Sequence, residues 1–344
     1  MTIYCGVDFH ARVQTVSYCD SQQGEIHTID LHHQEDDLHS FYSQFKGDVI
    51  VGLEASGYSP WFEQMLEELG HQVWIGDAAQ IRRLAKRRQK NDHRDAELIL
   101  DLLVNGGFPR LHRPSAESRE VLNQLRYRNR LVKIRTMTKN NLRALSIRAG
   151  LAAKSTLLTR GGRDKLKALP MGQSASLQRE HWFDLLKGLN DKIAEVDDWL
   201  KQQAKANQRV TLLQTHPGIG LLTSLGLTHL LDPVSRFSSS RKVTAYLGLE
   251  PMESSSGEKK RMLSISKAGS RLLRYLIIEA AHTAIKYDAE LKRFYIRLSR
   301  SKGKHKAIVA VGRKLLVRSY IMLRDGIDYE EFLRRGVEVR SARY

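Results

Sequence analysis

Asp48-Val49-Ile50-Val51-Gly52-Leu53-Glu54 is an apolar run closed at each end by an acid. A short run without polar alternation reads as a strand covered on both faces, at the centre of a sheet. Upstream lie three β-rich stretches, 2–8 (TIYCGVD), 12–20 (RVQTVSYCD) and 24–31 (GEIHTIDL). The last two flank the turn Ser21-Gln22-Gln23-Gly24, so the three read as a hairpin meander. Residues 36–45 have a helical pattern. Residues 59–69 open with Ser-Pro, a good start for a helix, and stop at Gly70. Residues 71–76 return to strand, and a helical pattern resumes at Ala78 with a break near Lys90–Asn91. The order β-β-β-α-β-α-β-α is that of RNase H-like, or RuvC-like, sheets, a likeness of topology that does not itself give function.

The chain has 344 residues, 56 Lys+Arg against 38 Asp+Glu, and a formal net charge of +18. That charge is regional. Residues 1–79 carry net −11, 80–150 net +12, 151–257 net +4 and 258–344 net +13. An acidic module followed by strongly basic regions reads as a binder of polyphosphate, nucleic acid first. No apolar run approaches the ~18 residues of a membrane span, so a membrane partner is not expected. The opening residues lack the basic segment of a secretory leader. Cys5 and Cys19 lie in strand-like stretches without metal spacing and read as buried thiols, consistent with a reducing cytosol.

From Pro114 to about Arg148 the pattern is one long basic helix. After a Gly-rich break at Arg160-Gly161-Gly162-Arg163, residues 175–205 form a second one, and together they suggest an antiparallel hairpin or a coiled-coil dimer. Residues 210–231 read as helix, Pro217-Gly218-Ile219-Gly220, helix, a helix-hairpin-helix whose Gly218 and Gly220 would let backbone amides face a phosphate. The remainder reads as mostly helical, with a Ser/Gly-rich loop at 253–257 ahead of Lys259-Lys260-Arg261. The expected division is 1–113, 114–206 and 207–344. The fold class is α/β plus α. Arg82, Arg83, Lys86, Arg87, Arg88 and Lys90, then Arg126, Arg130 and Lys133, are candidate phosphate contacts, as are Lys259, Lys260 and Arg261.

Asp8 ends the first strand and Glu54 the buried one. A carboxylate at the end of an apolar central strand is costly unless a cation neutralises it. Asp92 and Asp95 follow with a spacing that puts both on one helix face. Four such acids suit Mg²⁺ or Mn²⁺, which polarise a phosphate and stabilise the charge of an in-line displacement. His10, His93 and His32-His33 form no zinc-binding pattern.

With these residues in view the chain resembles the DEDD-type transposases of the IS110 insertion-sequence family, with its IS1111-like subgroup and the Piv-type DNA invertases. The matching pieces are Gly6-Val7-Asp8, Leu53-Glu54-Ala55-Ser56-Gly57 and Lys90-Asn91-Asp92-His93-Arg94-Asp95-Ala96-Glu97. Further along come Pro217-Gly218-Ile219-Gly220, Tyr246-Leu247-Gly248-Leu249-Glu250-Pro251, Ser255-Ser256-Gly257 and Ser266-Lys267-Ala268-Gly269. The resemblance implies a RuvC-like domain with its DEDD tetrad on Asp8, Glu54, Asp92 and Asp95, then a coiled-coil insertion, then a transposase domain. It implies a nucleophilic serine at Ser256, ambiguous by one residue within Ser254-Ser255-Ser256, with Lys267 in a neighbouring motif. It also implies recombination guided by a structured non-coding RNA, active sites shared between protomers in a dimer of dimers, donor and target DNA as partners, and a place in the prokaryotic cytosol at the nucleoid.

A serine is a weak nucleophile at neutral pH, and a metal-bound phosphate beside Lys259, Lys260 or Arg261 would favour its attack. Two rivals stand beside this reading: a RuvC-like nuclease that uses water, and a non-enzymatic architectural protein. A Piv-type invertase without guide RNA is a variant of the recombinase reading itself.

Overall fold

The computed structural model describes residues 1–22, 24–34, 36–85, 91–150, 155–256 and 259–341; at 155, 156, 160, 254–256, 259–262 and 337–341 the description is of the backbone. The chain divides into two compact units, Met1–Arg113 and Pro114–Tyr344.

The first unit is built on a five-stranded sheet. Its strands are β1 (Thr2–Phe9), β2 (Val13–Asp20), β3 (Ile26–His32), β4 (Asp48–Glu54) and β5 (Gln72–Gly76), and its helices are α1 (Leu38–Ser43), α2 (Pro60–Glu68), α3 (Ala78–Leu84) and α4 (Asp92–Val104). The spatial order is β3-β2-β1-β4-β5. β1–β2 and β2–β3 pair antiparallel, as the meander predicts, while β1–β4 and β4–β5 pair parallel. Strand alternation sends Cys5 and Val7 of β1 and Val51 and Leu53 of β4 into one core with Tyr42, Phe62 and Leu66. Tyr4, Ile50 and Trp74 face the other side, where they meet Ile99, Leu102 and Leu103 of α4, with Ile81 and Phe108. Cys5 and Cys19 are buried and unbridged.

The second unit is mostly helical. It comprises α5 (Ala116–Arg148), α6 (Arg160–Ala168), α7 (Gln173–Ala206), α8 (Gln208–Gln214), α9 (Leu221–Leu230), α10 (Ser240–Tyr246), α11 (Arg271–Tyr287), α12 (Ala289–Lys302), α13 (Lys304–Asp325), α14 (Tyr329–Ser341), and the hairpin of β6 (Pro251–Ser256) and β7 (Lys259–Ile265). The two long helices α5 and α7 pack antiparallel within the chain. Arg128 pairs with Asp197, Leu131 packs on Leu189 and Ile193, and Leu142 packs on Phe183 and Leu186. Their other ends, Leu122 and Leu125 of α5 and Leu200 of α7, join the main core with α9, α11 and α13.

That core encloses an ion network. Arg318 of α13 is 2% exposed. It donates to Asp288 and to Glu290, and its Nη1 lies 3.4 Å from His216 Nε2. Asp288 also accepts from the Tyr329 hydroxyl at 2.6 Å and caps α12 through Leu291 N. Burial pushes His216 down to about 4.

Two local expectations are corrected. The Gly-rich stretch 160–163 is no break but the first turn of α6, because Leu166 buries among Leu142, Phe183 and Leu186 and fixes the turn in place. Of the loop expected at 253–257, residues 253–256 belong to a strand, β6, paired antiparallel with β7, and residue 257 lies outside the described residues. Among the described residues no helix is long and apolar enough to cross a membrane.

Candidate active site

Asp8 and Glu54 stand one residue beyond the last paired positions of the parallel strands β1 and β4, Val7 and Leu53. Both belong to the face of the sheet covered by α4, since the alternate residues Gly6 and Gly52 meet that helix. A Cβ on Gly6 would overlap the Ala96 carbonyl oxygen and the Leu100 amide nitrogen, and one on Gly52 would lie 2.8 Å from Leu103 Cδ1. The glycine two residues before each acid therefore lets α4 lie flat on the sheet. Ala96, Leu100 and Leu103 form the contact stripe, and one turn earlier on that stripe is Asp92.

Asn91 starts α4 as its N-cap, accepting from His93 N at 3.2 Å. Asp92 and Asp95 lie in the first turn, where the helix dipole favours carboxylates. A second tie crosses the sheet. His93 Nε2 lies 3.0 Å from Asp30 Oδ2 on β3, and Asp30 Oδ1 accepts from Thr15 Oγ1 at 2.6 Å. Those bonds, Thr15 first, hold Asp30 below the usual carboxylate range.

At the meeting point, His10 Nε2 is 3.2 Å from Asp8 Oδ2 and 3.8 Å from Asp92 Oδ2. Asp8, His10 and Asp92 each bring a ligand atom within 4.8 Å of the others, a group fit for a metal ion. Burial raises the pKa of Asp8, the charges of Asp92 and Asp95 raise it further, and His10 offsets part of this. Two carboxylates and an imidazole suit a divalent ion of the Mn²⁺ or Mg²⁺ class better than a soft thiophilic one. Of the four acids expected from sequence, Asp8 and Asp92 are brought together. Asp95 acts on Asp8 through its charge, and neither it nor Glu54 joins the group at that spacing.

His10 is the member that sequence reasoning set aside for want of a zinc-binding pattern. Its signal was the Asp8-Phe9-His10 spacing, which puts residues i and i+2 of an extended chain on one side.

Ser256 ends β6, and the backbone register sets it opposite Lys259, Ser255 opposite Lys260 and Ser254 opposite Arg261. Gly257 lies outside the described residues, as do Lys86, Arg87, Arg88 and Lys90. Arg82 and Arg83 are on the last turn of α3, and Arg126, Arg130 and Lys133 are exposed on α5. Lys267 is exposed in the left-handed region, its amide donating to Gly248 O at 3.1 Å. Gly218 also has a left-handed backbone, but its missing Cβ serves packing: one there would lie 2.6 Å from Ala280 O of α11. Gly220 is the N-cap of α9 and faces open space.

Two family models match the chain. One described as a DEDD transposase of the IS110 type covers residues 5–145, and the Transposase IS116/IS110/IS902 family model covers residues 210–296. A transposase for insertion sequence element IS1111A from Coxiella burnetii is 29% identical over 66% of this chain, and the match spans 65% of that protein. A family 20 transposase from Pseudomonas aeruginosa is 28% identical over 76% of this chain and 81% of its own length. A pilin gene-inverting protein from Moraxella bovis is 31% identical over 44% of this chain and 47% of its own.

Proposed function

We propose that this chain, which belongs to the DEDD-type transposases of the IS110 family, is a DNA recombinase that cuts and rejoins strands to move an insertion sequence. The observation that carries this reading is the convergence of Asp8 and Asp92, with His10, at the ends of a central strand and its covering helix. On this reading the first unit is a RuvC-like domain in which Asp8, Glu54, Asp92 and Asp95 hold the metal. The coiled-coil helices of 114–206 follow, and then a transposase domain, 207–344, with a helix-hairpin-helix at α8–α9.

A bound Mg²⁺ or Mn²⁺ supplies Lewis-acid polarisation of a DNA phosphate. Asp8 is fixed by a strand and Asp92 by a capped helix, so the two fix where that phosphate is presented. Ser256 is the nucleophile. Its oxygen attacks phosphorus, a phosphoserine ester forms as the bond from phosphorus to the sugar oxygen breaks, and that departing oxygen takes up the serine proton to become a hydroxyl. The reverse step rejoins strands without loss of the ester bond. The register that sets lysines opposite the serine run supports this assignment. Partners on this reading are donor and target DNA, a structured non-coding guide RNA, and further copies of the chain as a dimer or dimer of dimers, acting in the cytosol at the nucleoid.

Ser256→Ala tests the chemistry. The variant should keep DNA binding and lose the covalent protein–DNA adduct on denaturing gels; an adduct that persists moves the nucleophile elsewhere. Asp8→Asn should lose both adduct and recombination, and an active Asp8→Asn protein overturns the metal site. The pilin gene-inverting relative favours a second reading, a site-specific invertase without guide RNA. Sequencing the nucleic acid that co-purifies separates the two.

A further inference from the structure

Gly226, in the middle of α9, leaves room for two neighbours. A Cβ there would lie 2.9 Å from Leu273 Cδ1 of α11 and 3.5 Å from Leu125 Cδ1 of α5. The two helices thus flank α9, and a groove of about 1130 Å³ opens between them. That exceeds the ~300–1,000 Å³ of small-molecule pockets. The floor is apolar, with leucines from all three helices. One wall presents Arg126, Arg130 and Lys133, spaced i, i+4, i+7 on one face of α5. The other begins α11 with Arg271 and, one turn on, Tyr275, which is 55% exposed.

Charge decides what fits. Among the described residues none of those four cations has a carboxylate at ion-pair distance, whereas Arg128 on the same helix is neutralised by Asp197. Glu279 lines the groove as its acid, leaving the rim strongly positive.

We propose that this groove takes an unpaired single strand of nucleic acid. The bases lie on Tyr275 and the leucine floor, and the phosphates run along Arg126, Arg130, Lys133 and Arg271. A duplex is disfavoured as occupant because its bases are already stacked on one another, leaving an apolar floor and an exposed ring with nothing to cover them. The inference rests on the reading that this chain works on nucleic acid.

The test is binding of the full-length protein to labelled oligonucleotides of ribose and deoxyribose type, single-stranded and duplex, over a salt series. Tyr275→Ala should weaken single-strand binding by about tenfold, the loss of one base stack, and Tyr275→Phe should restore it. Arg126→Gln, Arg130→Gln and Lys133→Gln together should reduce the single-strand salt slope by about 2, at ~0.7 per phosphate. Duplex binding should change little, and the ribose-to-deoxyribose ratio identifies the source of the strand. Equal losses on single strand and duplex, or no loss on either, overturn the proposal, as does a Tyr275→Phe protein as weak as the alanine variant. Single-strand binding that survives in an Asp8→Asn protein separates the groove from the strand chemistry, so either can fail alone.

Discussion

Gly6 lies so close under Ala96 that any side chain at residue 6 would overlap the Ala96 carbonyl oxygen. This contact seats α4 on β1 and sets Asp92 opposite Asp8. Gly6→Ala must therefore displace backbone, and overpacking of this kind costs about 3 kcal/mol, together with a loss of divalent-ion affinity. Gly188→Ala on α7 meets nothing within 4 Å and should instead stabilise by about 0.5–1 kcal/mol, as alanine does in a helix. Urea unfolding of both variants checks the contrast.

Asp8→Asn should raise the stability of the metal-free protein at pH 7 while abolishing its response to Mn²⁺. Burial raises the Asp8 pKa, so the folded chain holds that proton more tightly than the unfolded one. The resulting stabilisation is complete below the unfolded value of ~3.9 and is gone once pH passes the raised value. At neutral pH the ionised acid is a burden that asparagine removes. With Mn²⁺ at a hundred times its dissociation constant, the wild-type chain should gain about 2.7 kcal/mol and the variant nothing. Thermal melts with and without the ion read both signs.

His216 predicts an acid-side loss of stability. Its folded pKa is pushed down to about 4, against ~6.5 in an unfolded chain. The unfolded state therefore protonates first, and stability present above pH 6.5 drains away as pH falls towards 4, by up to ~1.4 kcal/mol per pH unit. His216→Gln should flatten that slope in unfolding curves collected across the same window.

Asp288 and Asp197 both face an arginine, with different expected costs. Asp288 and Arg318 are each 3% exposed at the side chain. Asp288→Asn leaves the guanidinium short of a charge in a dry site, at about 3–5 kcal/mol. Asp197 and Arg128 are 26% and 21% exposed, and Asp197→Asn should cost at most ~1 kcal/mol. Denaturant midpoints of the two variants test the ranking.

The order of elements in the first unit was legible because β1, β2, β4 and β5 bury one or both faces, and burial writes itself as an apolar run, plainly in Asp48–Glu54. Asp8 was legible as a charge at the end of such a run and Asp92 as an acid opening a helix, and these are the two acids that come together. The strand at Pro251–Ser256 was not legible, since Met252-Glu253-Ser254-Ser255-Ser256 shows no alternation and a single apolar residue. The turn at Arg160 was hidden because Leu166, six residues on, is what secures it. His10 escaped because its meaning depends on Asp92, far along the chain and joined to it only by the seating of α4. The packing demand on Gly218 was hidden likewise: its neighbour, Ala280, belongs to a helix whose arrival no local pattern announces.

Asp30 belongs to β3, the outer rail of the sheet, and through His93 it steadies the very turn that presents Asp92. Strand edges are where other chains attach themselves. A molecule pairing with β3 would therefore pair with the strand whose Asp30 holds His93, the residue next to Asp92.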